Sequence, residues 1–449
     1  MCQQSEHLQY YKAQLQANPA LSQALNKSLR EKTELAPDEE LYLHIWAPAI
    51  VEYIEWVLES AKFSGKKRLY FLARDALPMF LAARAICMAR GLDIECRYIK
   101  VSRYALRVPE YHLLGTGCVE RICVGGIRVT LRKVLKRAGL EPEEIEAVAE
   151  DLGKADQLDR ELLYPEVMAL KSTLKNNRLF LNAVFNKSKA ALPLAMGYLK
   201  QEGLLDDVSY GIVDSGWVGT MQQTMETLLR TQKPQLRLEG YYFGLYEIPR
   251  SASKNGTRYH AFYFTPRRHM GRKTAFSNCL FETICSSPDG MTLGYEKTER
   301  GYAAIESSRP NPNAEKLERY SALLEDFVSN YCRAKTEGAP RPVCPALLKE
   351  HMGRPEKWEV EAFGNNLFCD DVLEGTMQEV AAHLSEEEIR DQYFLSKAAI
   401  MLGIRKKELH ESAWIEGSIV RNAGRVKHKL RQVRLYKNFV YLKKLGKSI

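Results

Sequence analysis

The first part of the chain alternates between continuous apolar runs and apolar positions at helical spacing. RLYFLARD (68–75) is a short apolar run that ends on charges, ALPMFLAARAICMARG (76–91) has helical periodicity, and ECRYIKVSR (95–103) is again strand-like. A strand, a helix and a strand within about 35 residues are typical of a βαβ unit in a parallel sheet. We therefore predict an α/β fold with a Rossmann-like parallel sheet.

A second strand and helix follow at VSYGIVDSGWVGTMQQTMETLLR (208–230), where the apolar strand ends at Asp214 and a loop of small residues precedes the helix. LRLEGYYFGLYEI (236–248) predicts the next strand, because it is rich in residues that favour β-structure. Period-two patterns then predict hairpins at YHAFYFTP (259–266) and at MTLGYEKTERGYAAI (291–305).

Helical patterns cover the remaining segments. Residues 1–38 are polar and helix-prone up to a Pro-Asp breaker, which predicts a lead-in helix. We divide the chain into this lead-in at 1–38, an α/β domain at 39–305 with a helical insertion at about 129–205, and an α-rich C-terminal subdomain at 306–449 that ends in a basic tail.

The composition is that of a folded protein. The 449 residues are 45% hydrophobic and 27% charged, and 65 Lys+Arg against 56 Asp+Glu give a net charge of +9. These values exclude wholesale disorder, a fibrous protein and a coiled coil. No apolar stretch reaches the roughly 20 residues of a membrane span, and no secretory signal precedes the chain's first helix, so we expect a cytoplasmic protein. The ten cysteines form no C-x-x-C pair, which suits a reducing compartment.

The segment DSGWVGTMQ (214–222) carries the strongest chemical pattern. Gly216 and Gly219 would let backbone N–H groups approach an anion, Thr220 offers a hydroxyl, and the start of a helix favours negative charge. Asp214 could then bind sugar hydroxyls or a metal ion. The alternative is a tight turn in which Asp214 only caps the helix.

Two further strand ends carry charged residues. Arg74 suits a phosphate or pyrophosphate, and Asp75 suits Mg²⁺ or the removal of a proton from an acceptor hydroxyl; a simple Arg–Asp pair at a helix start is the alternative. Arg103 and Arg107 add two cations at the next strand end, unless they lie on a solvated loop. Glu282 stands among apolar residues and is therefore either paired with an arginine or catalytic.

The last stretch is basic and amphipathic, and no acid follows Glu416. It could contact an anionic surface at the inner face of the cytoplasmic membrane, or it could be an ordinary basic helix end. We predict no nucleic-acid partner, because the segment lacks aromatic-rich binding motifs. The cations of this basic tail are Arg425, Lys427, Lys429, Arg431, Arg434, Lys437, Lys443, Lys444 and Lys447.

Five motifs together resemble a bacterial polysaccharide-biosynthesis family that is labelled haloacid-dehalogenase-like (HAD-like). They are RLYFLARDALPMF, YIKVSRYALRVPEYHLLG, GIVDSGWVGTMQQTM, LEGYYFGLY and LFETICSS, and they span about residues 40–300. In this family, a HAD phosphatase module is commonly fused to, or encoded near, a second module. A HAD phosphatase needs a D-x-D motif at the end of its first strand, and Asp75 stands alone. The chain therefore resembles the second module without its phosphatase.

This resemblance implies a phosphoribosyltransferase-type fold that uses 5-phosphoribosyl-1-pyrophosphate (PRPP) to place a phosphoribofuranosyl residue on a glycan acceptor, which could be lipid-linked. It implies that Asp214 holds ribose hydroxyls, with Ser215 in place of a second acid, and that Mg²⁺ binds at Asp75 and Asp214. A separate HAD phosphatase would act next. The implied donor-binding residues are Arg74, Ser102, Arg103, Arg107, Ser215, Gly216, Trp217, Gly219, Thr220 and Met221.

Three other functions remain open from the sequence. They are a HAD-like phosphosugar hydrolase, a nucleotide-sugar glycosyltransferase of capsule or O-antigen biosynthesis, and a non-enzymatic assembly protein. An enzyme would require Arg74, Asp75 and Asp214 to converge on one cleft, whereas an assembly protein would not.

Overall fold

A five-stranded, all-parallel sheet forms the centre of the structure, a computed structural model that describes residues 5–32, 34–124, 129–249, 258–334, 340–369, 377–401, 409–422 and 424–447. The strand order is β2-β1-β3-β4-β5. The predicted Rossmann-like α/β fold is confirmed. The strands are β1 (Arg68–Leu72), β2 (Glu95–Ile99), β3 (Tyr210–Trp217), β4 (Glu239–Leu245) and β5 (Arg258–Phe264).

The burial of their side chains explains why these apolar segments form strands. All five residues of β1 and all seven of β4 are buried, as expected for strands that helices cover on both faces. The chain leaves β1 toward β2 on one side, and β3 continues toward β4 on the other side. The order of the strands therefore reverses between β1 and β3. In open parallel sheets, ligands bind in the crevice that such a reversal leaves at the carboxyl ends of the strands.

Helices surround the sheet, and they are numbered here in chain order. The first half contains α1 (Glu6–Leu15), α2 (Pro19–Arg30), α3 (Pro37–Leu41), α4 (Ala47–Phe63), α5 (Leu77–Arg90), α6 (Arg103–Leu114), α7 (Val119–Ile122), α8 (Leu131–Arg137), α9 (Pro142–Asp151), α10 (Tyr164–Asn176), α11 (Arg178–Gln201) and α12 (Thr220–Leu229). A π-helical turn, Tyr42–Trp46, joins α3 to α4.

The second half is also mostly helical. It contains α13 (Met270–Ala275), α14 (Asn278–Ile284), α15 (Ala314–Arg333), α16 (Cys344–Gly353), α17 (Lys357–Phe363), α18 (Glu386–Asp391), α19 (Phe394–Met401), α20 (Ile415–Asn422) and α21 (Val426–Lys447). Two small antiparallel pairs accompany these helices: β6 (Thr292–Thr298) with β7 (Gly301–Glu306), and β8 (Leu367–Phe368) with β9 (Gln378–Glu379).

The prediction of a single lead-in helix over residues 1–38 is wrong. The structure has two helices there, because the Asn18 side chain accepts a hydrogen bond from the Leu21 N–H and Pro19 begins α2. Pro37 also begins a helix, α3, instead of ending one. Proline is favoured at the first position of a helix, where its missing N–H costs nothing.

The insertion predicted at about 129–205 is helical, as expected. Helices α8 to α11 occupy it and share a small hydrophobic core of their own. This core also takes in Tyr111 of α6 and Cys118, so it starts earlier in the chain than the predicted boundary.

One of the two predicted hairpins is confirmed. β6 and β7 pair antiparallel within residues 291–305 and one residue beyond. The hairpin predicted at 259–266 is wrong, since this segment belongs to β5, which pairs with β4 in parallel. A half-buried edge strand and a hairpin strand share the same period of two, so the pattern alone does not separate them.

The main hydrophobic core joins parts of the chain that are far apart in sequence. It contains Tyr11 of α1, Trp46, Phe243 of β4, Tyr320 of α15 and Trp414, each less than 2% exposed. One face of the sheet is therefore covered by both the first helices and the C-terminal helices. Among the described residues, no helix is long and apolar enough to cross a membrane.

Tyr53 of α4 joins this core to the middle of β3 and β4. Its hydroxyl lies 2.9 Å from the Tyr241 carbonyl oxygen and 3.1 Å from the Asp214 carbonyl oxygen. We expect Tyr53→Phe to lower the free energy of unfolding by about 1–2 kcal/mol, because buried carbonyls lose their donor. Urea unfolding would measure this loss. The matched change Tyr302→Phe, on the partly exposed hairpin, should cost less, and an equal loss in both variants would contradict the assigned role.

Candidate active site

Three carboxylates converge where β1 and β3 end. Asp75 follows β1, Asp214 lies within β3, and Glu282 projects from α14. The Ser215 hydroxyl donates a hydrogen bond to Asp75 Oδ2 at 2.7 Å. The Trp217 indole Nε1–H donates to Glu282 Oε1 at 2.5 Å. Two positions of β3, Ser215 and Trp217, thus hold the acids of two other elements.

The register of the sheet produces this convergence. Phe71 of β1 lies opposite Val213 of β3, so the residues that follow each of them reach the same edge of the sheet. β3 continues past the predicted end at Asp214 to Trp217, where it still pairs with β4. The extension brings Ser215 and Trp217 into the crevice.

Burial, followed by the charge of Asp75, shapes the chemistry of the three acids. Burial and the charge of Asp75 raise the pKa of Asp214 to about 7, although the N–H groups of Ser215 and Gly216 oppose the shift. Burial and the charge of Asp75 also raise the pKa of Glu282 to about 8. Burial raises the pKa of Asp75 itself, against the Ser215 hydroxyl and the arginine side chains nearby. The crevice therefore retains protons near neutral pH.

Arginines border the acids. Arg103, at the start of α6, is exposed and lowers the pKa of all three carboxylates. Arg107, one turn later, is only 8% exposed, and its Nη2 donates to the Thr220 hydroxyl at 3.4 Å. Burial, followed by the charge of Arg103, lowers the pKa of Arg107 to about 10. In the part of the chain that the structure describes, no carboxylate lies within ion-pair distance of Arg107, although the charge of the buried Glu110 on the same helix raises the pKa of Arg107.

The segment 214–222 takes an unusual backbone path. Gly216, Trp217 and Gly219 have φ angles of 106°, 68° and 65°. Gly219 precedes α12, and no side chain caps this helix. The alternative in which Asp214 caps the helix is therefore wrong. Thr220 begins α12 and Arg107 donates to its hydroxyl, so the uncapped first turn of the helix lies next to a cation and a hydroxyl, as an anion site requires.

Packing also requires the two glycines. A Cβ atom on Gly219 would lie 2.5 Å from the Tyr259 ring, and one on Gly216 would lie 2.7 Å from the Gly244 carbonyl oxygen. Both positions thus need glycine for reasons of fold, whatever binds beside them. The sequence suggested only the approach of an anion.

Three predicted donor-binding residues have side chains that the fold already uses. The Ser102 hydroxyl caps α6, accepting from the Ala105 N–H at 3.0 Å and donating to the Thr292 carbonyl at 2.6 Å. The Trp217 ring packs among aromatic rings of the main core. Met221 packs against the core beneath α12. Only the backbone of Trp217 and Met221 remains for a ligand.

A cavity of about 90 Å³ adjoins two of the acids, Asp75 and Glu282. Arg74, Asn311 and Asn313 also line it. The other lining residues are Thr283, Ser286, Met291, Pro312, Leu367, Phe368, Cys369 and Met377. Sequence analysis missed the residues beyond 305, because no pattern in the C-terminal part marks them as neighbours of the strand ends.

Comparison with known proteins assigns no family to this architecture. No family model matches the chain, and no curated protein matches it. The function must therefore be argued from the site itself.

The acids fit a Mg²⁺ ion that a substrate helps to hold. Within the described ranges, no group of three or more His, Cys, Asp or Glu side chains is arranged around a metal position. Mg²⁺ is commonly bound by one or two carboxylates together with substrate phosphates. Asp75 and Asp214 raise each other's energy when both are ionised, and a cation between them would relieve this repulsion.

The raised pKa of Glu282 predicts a pH-dependent cost to stability. Between its ordinary value of 4.5 and about 8, the folded protein binds more protons at Glu282 than the unfolded chain does. The free energy of unfolding therefore falls as pH rises through this window. As the pH rises from 5 to 8, we expect the free energy of unfolding of Glu282→Gln to increase relative to that of wild type by on the order of 1 kcal/mol.

Thermal unfolding at both pH values would measure this gain. Gln keeps the oxygen that accepts from Trp217, so the variant should fold. Glu361→Gln, at an exposed glutamate on α17, serves as the control and should show no such trend. A wild-type-like pH profile in Glu282→Gln would mean that Glu282 is ionised throughout.

Proposed function

We propose that this protein is a PRPP-dependent phosphoribosyltransferase that adds a 5-phosphoribofuranosyl residue to a glycan acceptor of bacterial polysaccharide biosynthesis. One observation carries the proposal. At the reversal of strand order, a group of carboxylates lies beside Arg103, and the uncapped start of α12 lies beside the buried Arg107, which has no acid of the described chain within ion-pair distance. PRPP matches this arrangement, because it carries ribose hydroxyls between two anionic groups.

Each part of the donor has a counterpart. The 5-phosphate would lie at the start of α12, where Arg107, the Thr220 hydroxyl and the first backbone N–H groups offer donors. Asp214 would accept from the ribose hydroxyls. Arg74 and Arg103 would bind the pyrophosphate. The motifs shared with the PRPP-using module of the HAD-like family support the same assignment.

Asp75 and Asp214 would hold Mg²⁺, which supplies charge neutralisation at the departing pyrophosphate. In the reaction, the bond between C1 of ribose and the pyrophosphate oxygen breaks, and a bond forms between C1 and an acceptor hydroxyl oxygen. The acceptor attacks from the opposite face and inverts the α-configured donor to a β-ribofuranoside. Asp75, or Glu282 in its ionised form, would take the hydroxyl proton.

The hydrolase alternative lacks a required residue. A HAD phosphatase uses two aspartates in D-x-D spacing, but Leu77 follows Asp75 at that spacing and Gly216 follows Asp214. Glu282 comes from a different element and does not restore the motif. A separate phosphatase would then remove the 5-phosphate from the transferred residue.

Calorimetric titration with Mg²⁺-PRPP tests the proposal. We expect saturable binding to wild type and at least about tenfold weaker binding to Asp214→Asn, because the amide is a poor ligand for both the cation and the ribose hydroxyls. Asp156→Asn, on the exposed surface of the insertion, is the matched control and should bind as wild type does. Binding of a nucleotide sugar but not of PRPP would contradict the proposal.

The pKa of Asp214 predicts how this affinity depends on pH. With a pKa of about 7, Asp214 is mostly protonated at pH 6 and mostly ionised at pH 8. Only the ionised form binds Mg²⁺, so the affinity should rise by about tenfold over this range, with release of protons on binding. Titration in buffers of different ionisation enthalpy would count those protons. Affinity that is flat from pH 6 to pH 8 would show that Asp214 does not bind the cation.

A further inference from the structure

The C-terminal helix α21 leaves an apolar stripe exposed to solvent. Leu435, Phe439 and Leu442 follow one another at helical spacing and are 50%, 45% and 59% exposed. Arg431 precedes them on the same face and is exposed as well. Residues three and four apart lie on one face of a helix, so these side chains form one continuous stripe.

The opposite face of α21 is fixed to the protein. Leu430 and Val433 are buried against neighbouring helices, and the Tyr441 ring stacks on Tyr246 at 5.5 Å. The exposed stripe is therefore not a consequence of a loosely attached helix. Folding of the described chain leaves it uncovered.

A second helix extends the apolar surface. Phe394 of α19 contacts Phe439 edge-to-face at 5.0 Å, and the next residue, Leu395, is 78% exposed. Four of the large hydrophobic side chains that remain exposed in the described structure thus lie on two contacting helices. A cluster of this kind marks a contact surface more than scattered single residues do.

The charged residues around the apolar stripe indicate which kind of partner it binds. Lys429 and Lys437, on the attached side, pair with Glu386 and Glu416. The exposed cations Lys427, Arg431 and Lys443 pair with no acid in the described part of the chain, and the helix contains no Asp or Glu. Apolar side chains flanked by unpaired cations are the pattern of a helix that lies in the interface of an anionic membrane.

We propose that α21, together with α19, binds the surface of a bilayer that contains anionic lipid, with Leu395, Leu435, Phe439 and Leu442 inserted among the lipid chains. The proposal requires no membrane-spanning helix. Membrane binding by α21 does not depend on which donor the protein uses. Only the suggested purpose of this binding, to present a lipid-linked acceptor, rests on the proposed transferase.

Vesicle flotation with the full chain tests this surface. We expect binding to vesicles of phosphatidylcholine mixed with phosphatidylglycerol, weaker binding at high salt, and little binding to phosphatidylcholine alone. The double variant Phe439→Ser/Leu442→Ser should reduce the partition coefficient by about tenfold or more. Phe63→Ser, at a phenylalanine that is 94% exposed on α4, is the matched control and should bind as wild type does.

Two charge variants separate the electrostatic contribution to membrane binding from the apolar contribution. Lys427→Gln/Arg431→Gln should lose preference for the anionic lipid, whereas Lys136→Gln/Lys297→Gln, at exposed lysines elsewhere, should retain it. Melting temperatures close to wild type would show that the variants are folded. Equal binding to both lipid mixtures would overturn the proposal. So would a stripe variant that changes the oligomeric state in solution but not vesicle binding, because the stripe would then join copies of the chain. The vesicle-binding experiments omit PRPP, so the membrane proposal and the transferase proposal can each fail independently of the other.

Discussion

Burial of three carboxylates in one crevice, to which the charge of Asp75 adds repulsion, is the constraint on which the candidate site depends. Asp75, Asp214 and Glu282 could each lower their energy by moving apart, but each is held in place. Asp214 is part of β3, the Ser215 hydroxyl holds Asp75, and the Trp217 indole holds Glu282. A fold that fixes like charges together gains nothing in stability from them. A bound cation would offset this cost, as the proposed Mg²⁺ site requires.

The packing of the sheet and its aromatic core offsets the free-energy cost of burying these carboxylates. β1 and β4 are buried along their whole length, and the rings around Trp217, among them Phe276 and Phe281, anchor the indole that holds Glu282. The same core includes the first helices and the C-terminal helices. A change in a distant helix can therefore reach the site through packing, since a close-packed core transmits displacement.

The sequence could predict the strands and the aspartates, but only part of the crevice. Asp75 and Asp214 follow continuous apolar runs, and the carboxyl ends of parallel strands meet at one edge. Glu282 was recognisable as a buried acid, but its partner was not, because Trp217 meets it only through the tertiary fold. The cavity wall at Asn311 gives no local signal at all. The segment 259–266 was misassigned, because period two describes an edge strand and a hairpin strand equally well.

The position of α21 connects the two proposals through one line of contacts. Tyr441 on its attached face stacks on Tyr246, Tyr246 packs against Trp217, and Trp217 holds Glu282. The opposite face of the same helix carries the apolar stripe. In a bilayer bound there, the lipid would be separated from Glu282 by α21 and by the rings of Tyr246 and Trp217. An acceptor that is anchored in lipid would then need only a short reach to the carboxylates, whereas a freely diffusing glycan would gain nothing from the stripe.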